Sequence, residues 1–357
     1  MRAILLASGL ALLISLLGTR FAITVLSRRG YGQEIRDDGP TSHHTKRGTP
    51  TMGGIVIIIA SVTGYFAAKL LTLSTPSASA LLLLFLFVGL GTVGFLDDFI
   101  KIAKQRSLGL RSKAKMIGQT VVALVFGALA LSPWLADERG MTPAAHHLSF
   151  IRDFDSWAMP TVVVVLLIWL IITGTSNAVN LTDGLDGLAT GACVMVFAAY
   201  TLVNIWQNSQ SCALEMGPKC YEVRDPLDLA VVSAAIMGAC FGFLWWNASP
   251  AQIFMGDTGS LSLGGALAGL AILTRTELLL IILGGLFVVE TVTVMMQVGF
   301  FKLTNGRRIF RMTPIHHHFE MLGWEQVTVV IRFWIITGLC VAAGLGIFYA
   351  EWVAGIG

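Results

Sequence analysis

A chain of 357 residues that is 55% hydrophobic and 13% charged, with a mean hydropathy of +0.75, falls well short of the roughly 25% charged residues of a soluble domain. The formal net charge is only +3, and neither a basic helix nor a recognition module is present, which excludes a nucleic-acid partner. In chain order, apolar stretches fall at 3–26, 52–73, 80–99, 115–133, 159–177, 188–206, 228–246, 260–274, 278–301 and 329–352. A stretch of about 20 apolar residues spans a bilayer, so each predicts a crossing, with 260–274 the shortest. The first stretch runs on through Phe21 without a small-residue cleavage site, which reads as a retained helix and not a removed signal peptide. No loop is long enough to fold alone, and no repeat is visible. The expected fold is therefore an all-α polytopic membrane protein of about ten transmembrane helices, one integral-membrane catalytic domain over residues 1–357.

Basic residues set the expected orientation. The loops at 28–50, 100–115 and 302–312 hold 15 Lys and Arg, and the opposite loops at 73–79, 134–158, 207–227 and 275–277 hold 5. The positive-inside rule then puts the first set in the cytoplasm and both termini outside. Cys193, Cys240 and Cys340 lie within spans as small apolar residues. Cys212 and Cys220 share a loop assigned to the oxidising side, where either a disulfide or two free thiols fits the spacing.

Polar clusters gather in the loops after the odd-numbered stretches. The first cytoplasmic loop carries Lys46 beside Gly48, Gly53 and Gly54, which suits a phosphate or a base as well as it suits a positive-inside anchor. Asp97 and Asp98 end the third stretch, where a carboxylate opposes the helix dipole unless a cation answers it. Lys101 lies one turn on, at i,i+4 from Asp97. The arrangement reads as an interfacial ion pair or as a pair of carboxylates for a divalent metal or a proton, with a lysine for phosphate. The loop at 104–115 adds Lys113 among other basic residues. Asn177, Asn180, Asp183, Gly184, Leu185 and Asp186 follow the fifth stretch; one Asp there could cap the next helix, but two Asn and two Asp exceed what a cap needs. Asn247, Phe254 and Asp257 precede the eighth stretch, where a helix N-terminus beside glycine is suited to phosphate and Asp257 becomes a third carboxylate for metal. His316, His317 and His318 stand in the last cytoplasmic loop; adjacent histidines on a helix point apart, so contacts to phosphate or sugar fit better than one shared ion. Glu290 and Gln297 sit within the ninth stretch, and an intramembrane carboxyl is a functional candidate by default.

Carboxylates, lysines, glycine-flanked turns and histidines on one membrane face fit phosphoryl transfer, which requires mainly positioning, metal and charge neutralisation. The motifs Gly48-Thr-Pro-Thr-Met-Gly-Gly54, Asp97-Asp98-x-x-Lys101, Asn180-Leu-Thr-Asp-Gly-Leu-Asp-Gly-Leu188, Gly256-Asp-Thr-Gly-Ser260 and Pro314-Ile-His-His-His-Phe-Glu320 resemble those of the bacterial phospho-MurNAc-pentapeptide translocases. These belong to the polyprenyl-phosphate N-acetylhexosamine-1-phosphate transferases. The likeness covers nearly the whole chain, in order. It implies transfer of phospho-MurNAc-pentapeptide from UDP-MurNAc-pentapeptide to undecaprenyl phosphate, giving lipid I and UMP, with Mg²⁺, in a homodimer of the bacterial cytoplasmic membrane. It further implies Asp257, Asp97 and Asp98 at the metal, and Asp97, Asp98, Asp257, Lys101 and His317 in catalysis. Lys46, Asn177, Asn180, Asp183, Gly184, Leu185, Asp186, Asn247, Phe254 and Gln297 would shape the substrate pocket, with Lys113, His316 and His318 on phosphates or sugar. Two rival readings are a sister enzyme that transfers GlcNAc-1-phosphate to the same lipid, and a transporter. The transporter would place charges and broken helices near the bilayer midplane, where Glu290 stands nearly alone.

Overall fold

The computed structural model describes residues 1–28, 48–104, 109–213, 217 and 219–354; Lys46 lies outside them. The helices are α1 (Arg2–Arg28), α2 (Gly54–Leu71), α3 (Ala78–Ala103), α4 (Ser112–Ala130), α5 (Thr161–Thr182), α6 (Leu188–Ser209), α7 (Pro226–Asn247), α8 (Gly256–Leu273), α9 (Leu279–Leu283), α10 (Gly285–Leu303), α11 (Ile315–Glu320) and α12 (Gln326–Ala354). Among the described residues, nine are long and apolar enough to cross a membrane. The tenth expected crossing corresponds to α8, an 18-residue helix rich in Gly and Ser that misses that standard. Its side chains from Thr258 to Leu273 are all buried, packed by α3, α5 and α2, so lipid never tests its hydropathy. The expected stretch at 278–301 is two helices, α9 and α10, meeting at Gly284.

Two boundaries move in ways that matter. Helix α3 runs past Phe99 to Ala103, so Asp97, Asp98 and Lys101 are all helical. Helix α5 runs through Asn177 and Asn180 to Thr182, so both amides sit on its last turns and not in a loop. The 134–158 connection, where the sequence offered no element, contains an antiparallel hairpin of β1 (His147–Ser149) and β2 (Asp153–Ala158).

Small residues let the helices approach closely. Helix α1 lies on α7 along Gly238-x-x-x-Gly242, where an added Cβ would stand 2.2 Å from the Ser8 carbonyl oxygen or 2.4 Å from that of Leu12. Helix α8 uses the same device on both sides: a Cβ on Gly264 would lie 2.5 Å from Ser176 Cα of α5, and one on Gly265 2.2 Å from the Leu90 side chain of α3. Backbone polar groups that side chains meet in this packing are matched, as where Gln207 Nε2 donates to Thr274 O at 2.9 Å and Ser233 Oγ donates to Phe197 O at 2.8 Å.

The two ends of the bundle differ in chemistry. At one end, Lys69 pairs with Asp228 at 2.9 Å while Tyr65 donates to the same carboxylate at 2.9 Å, tying α2 to α7. There too, Cys212 and Cys220 form a disulfide, and Arg152 bridges that loop to α12 by donating to the Lys219 and Cys220 carbonyls and pairing with Glu351 at 2.6 Å. Cys193, Cys240 and Cys340 remain thiols. The other end collects the clusters singled out in the sequence.

Replacing Gly264 by valine should lower the thermal midpoint of the detergent-solubilised protein, because overpacking a close helix contact costs about 1–3 kcal/mol. Gly174→Ala on α5, with open space around the new methyl, should leave it unchanged or raise it. Equal midpoints for the Gly264 variant and the unaltered protein would show that α8 does not need this close approach.

Candidate active site

Three helix ends build the centre. Asp97 and Asp98 come from the last turns of α3, Asp257 from the first turn of α8, and Asn180 from the last turn of α5. Asp98 acts as a cap supplied from another helix. It accepts from the backbone N–H of Asp257 at 3.2 Å and of Thr258 at 2.9 Å, and from Thr258 Oγ1 at 2.7 Å. These N–H groups are ones an α-helix leaves unpaired at its start. Gly256, with φ +73°, makes the turn into α8; a Cβ there would stand 2.5 Å from Asp98 Oδ2. Gly94, one turn before Asp98, admits the Asp257 carbonyl so closely that a Cβ would lie 2.1 Å from it.

The Gly48–Gly54 segment seats the same helix start. Phe254 N donates to Pro50 O at 2.8 Å, Gly53 N to Phe254 O at 2.9 Å, and Gly54 N to Met255 O at 2.8 Å. A Cβ on Gly54 would lie 2.1 Å from Gly259 N, which accounts for the glycine pair. Asn247 braces this loop from below, donating to Ile253 O at 2.9 Å and accepting from Thr190 Oγ1 at 2.7 Å. Asp186 accepts from Ala251 N at 3.2 Å and joins the loop after α5 to the loop before α8.

Asp97, Asp98 and Asp257 bring one carboxylate oxygen each to within 4.8 Å of one another. Like charges so close oppose their joint ionisation unless cations intervene. Lys101 Nζ lies 2.6 Å from Asp97, 3.5 Å from Asp98 and 3.0 Å from Asp257. Lys115 of α4 reaches Asp257 at 2.8 Å, and Asn180 Nδ2 donates to its other oxygen at 2.8 Å and to Ser260 Oγ at 2.8 Å. Asp97 also accepts from Leu110 N at 2.8 Å. All donors to a cation here would be carboxylate oxygens, the set preferred by hard divalent ions. The cluster is therefore fitted to hold such an ion.

Beside it, the turn after α5 carries Asp183, Gly184 and the buried Leu185. Burial, with the charges of Asp257, Asp98 and Asp186, pushes the Asp183 carboxyl up to about 8. Gly184 lies against the histidine segment: a Cβ there would stand 2.3 Å from His316 Nε2 and 3.3 Å from His317 Nε2. His317 Nδ1 lies 2.7 Å from Glu320, and His318 Nδ1 accepts from Arg311 N at 3.1 Å. Gln297 accepts from Ile309 N at 2.9 Å and Phe310 N at 3.0 Å, so it anchors the segment that leads to the histidines. Asn177 donates to Gln119 of α4 at 2.9 Å, one turn before Asn180. Phe254 is partly exposed, and Lys113 is exposed on the first turn of α4.

Lys115, one of the basic residues of the 104–115 loop, joins the site, as do Thr258 and Ser260, which the sequence offers as caps of α8. Lys115 carried a signal: it shares a helical face with Gln119 and with buried Ala123 and Phe126, whereas Lys113 is turned away from that stripe.

A helical membrane protein that gathers carboxylates, lysines and a capped helix start at one end of its bundle is built as a membrane-embedded transferase. Comparison agrees. The model of glycosyl transferase family 4 matches residues 80–275, and signature 1 of the phospho-N-acetylmuramoyl-pentapeptide-transferases matches 46–58. The chain is 78% identical to the phospho-N-acetylmuramoyl-pentapeptide-transferase of Nocardioides sp. (strain ATCC BAA-499 / JS614) over 100% of both chains. It is 62% identical to that of Kineococcus radiotolerans and 60% identical to that of Cutibacterium acnes, each over 99% of this chain and 100% of the relative. The chain belongs to the phospho-N-acetylmuramoyl-pentapeptide-transferase family.

Asp183 gives a pH dependence of defined sign. Between its ordinary value of 3.8 and about 8, the folded chain holds a proton that the unfolded chain has lost. The stability from this group is full below the lower value and is lost as pH rises through the upper one. In cation-free protein the thermal midpoint should carry a downward contribution from about pH 5 to about pH 8, reduced in Asp183→Asn. A divalent cation held by Asp98 and Asp257 should flatten it, since their charges help raise Asp183. An identical profile for the Asp183→Asn variant would contradict this assignment.

Proposed function

We propose that the chain transfers phospho-MurNAc-pentapeptide from UDP-MurNAc-pentapeptide to undecaprenyl phosphate, giving lipid I and UMP. The observation that carries this reading is the group of three carboxylates and two lysines gathered at the ends of α3, α4 and α8, at one end of a bundle of membrane-spanning helices. A phosphate oxygen of the lipid attacks the sugar-bearing phosphorus of the nucleotide. A new P–O–P bond forms, the bond to the bridging oxygen breaks, and that oxygen leaves with UMP.

Asp257, Asp97 and Asp98 would hold Mg²⁺, which when bound neutralises charge on the diphosphate and the leaving UMP. The chain's own groups do the rest. Lys101 and Lys115 neutralise phosphate oxygens once these displace them from the aspartates. Asp98 accepts from the α8 N-terminus, and Asp97 from Leu110 N with Lys101 on its other oxygen, so one of the pair would orient the lipid phosphate or take its proton once substrate and cation rearrange these contacts. Asn180, Asp183, Gly184, Leu185, Asp186 and Phe254 line the nucleotide side, with Lys46 contributing from the first loop and Asn247 holding Phe254's loop in place. His317 and His318 meet phosphate or sugar, and Lys113 supplies positive charge at the entrance. The excess of Lys and Arg in the site-side loops supports a cytoplasmic active site and termini outside. The disulfide at the opposite end suits the oxidising face. By the resemblance, the assembly is a homodimer in the bacterial cytoplasmic membrane.

Purified protein given Mg²⁺ and undecaprenyl phosphate should release UMP with UDP-MurNAc-pentapeptide and give no release of UMP from UDP-GlcNAc. The reverse preference would move the chain to the sister enzymes, and release from neither donor by folded protein would end the transferase reading. Asp257→Asn should lower Mg²⁺-dependent turnover by roughly 100-fold or more while the folded state persists; near-normal turnover would remove Asp257 from the metal.

A further inference from the structure

Glu290 of α10 is fully buried in a helix long and apolar enough to cross a membrane, where an unanswered carboxyl is costly. The activity proposed above does not use it. Its Oε1 lies 3.0 Å from Nδ1 of His316, which is also fully buried. Two atoms of this pair, Glu290 Oε2 and His316 Nε2, have no hydrogen-bond partner among the described residues. The ring is thus held on one edge by Glu290, while its other edge faces Gly184, where an added Cβ would stand 2.3 Å from Nε2.

After Leu286 and Phe287, the buried face of α10 continues as a short polar stripe of Glu290, Thr293 and Gln297. Gln297 fixes the backbone of Ile309 and Phe310, and Glu290 fixes His316 a few residues on. One helix face therefore holds the 309–318 segment at two points, and that segment in turn backs the turn at Asp183–Asp186. A hydrogen bond that sets which ring nitrogen carries the proton also sets the ring's orientation.

We propose that Glu290 is a positioning residue: by engaging His316 Nδ1 it fixes the ring's tautomer and keeps Nε2 against Gly184, and so holds the Asp183–Asp186 turn in the shape that receives the nucleotide. The inference rests on the transferase reading for the identity of that ligand, but the Glu290–His316–Gly184 contact stands on geometry. With Glu290 as acceptor, the ring proton is on Nδ1 and Nε2 offers a lone pair. Loss of the carboxyl frees the ring to turn and removes the backing of Gly184.

The test compares the full-length protein with Glu290→Ala and Glu290→Gln. In steady-state UMP release, Glu290→Ala should raise KM for the uridine-diphosphate substrate about tenfold and leave KM for the polyprenyl phosphate within about twofold, with glutamine, which keeps an acceptor oxygen, recovering most of the loss. A purely structural role would lower the active fraction and move neither KM. In parallel, ¹⁵N-histidine spectra should show an Nδ1-protonated ring that disappears in His316→Asn and shifts in Glu290→Ala. An unchanged ratio of the two KM values in Glu290→Ala, no recovery with glutamine, or a His316 signal indifferent to Glu290 would each overturn the inference. If the unaltered protein releases no UMP, the transferase reading fails, and the ¹⁵N spectra decide the positioning role by themselves.

Discussion

The site depends on how the start of α8 is held. An α-helix begins with N–H groups that have no partner within the helix, and here the Asp98 carboxylate from α3 satisfies two of them. The positive end of the α8 dipole meets that same charge, so the contact is favoured twice. Because Asp98 and Asp97 are neighbours on α3, fixing one places the other. Because Asp257 is at the start of α8, the capping also sets the third carboxylate. One tertiary cap thus determines the relative placement of all three acids, and the lysines of α3 and α4 then balance their charge.

Close backbone approach makes that cap possible. Gly94, Gly256, Gly54 and Gly259 clear the space in which α3, the Gly48–Gly54 segment and α8 converge, and Gly264 and Gly265 continue the fit along α8. In a membrane the hydrophobic effect gives helices little reason to associate, so small residues and interhelical hydrogen bonds must supply the attraction. The apolar side chains instead face outward on α1, α4, α10 and α12, where lipid replaces water as the solvent. Polar groups that a bilayer would penalise gather at the two ends, and several within the bundle bond across helices, as Asn177 does to Gln119 and Gln207 to the Thr274 carbonyl.

Much of this was legible in the sequence, and the reasons differ by element. Long apolar runs announce membrane helices because length and hydropathy suffice, and Asp97 with Lys101 was readable because i,i+4 spacing fixes proximity on one helix. The extent of α5 was not, since Asn177 and Asn180 look like loop residues until tertiary partners on α4 and α8 satisfy their amides. Lys115 was distinguishable from Lys113 only by its helical register with Gln119, Ala123 and Phe126, because both lysines look alike as positive charge in a basic loop. The role of Asp98 as a cap for a helix more than 150 residues away has no local signature at all. The hairpin in the 134–158 connection was unread because its strands are short and lack clean alternation.

The enclosure of α8 also bears on how the chain is assembled. With Asp257, two serines and five glycines, this segment has a weak tendency to enter lipid alone, and charged residues within a span raise the cost of insertion. Its partners α2, α3 and α5 all precede it in the chain, so synthesis delivers them to the membrane first. A helix packed mainly by earlier helices enters a largely protein-lined slot and not bare lipid. The order of elements along the chain is therefore itself part of what lets a glycine- and serine-rich segment reach the middle of a membrane protein.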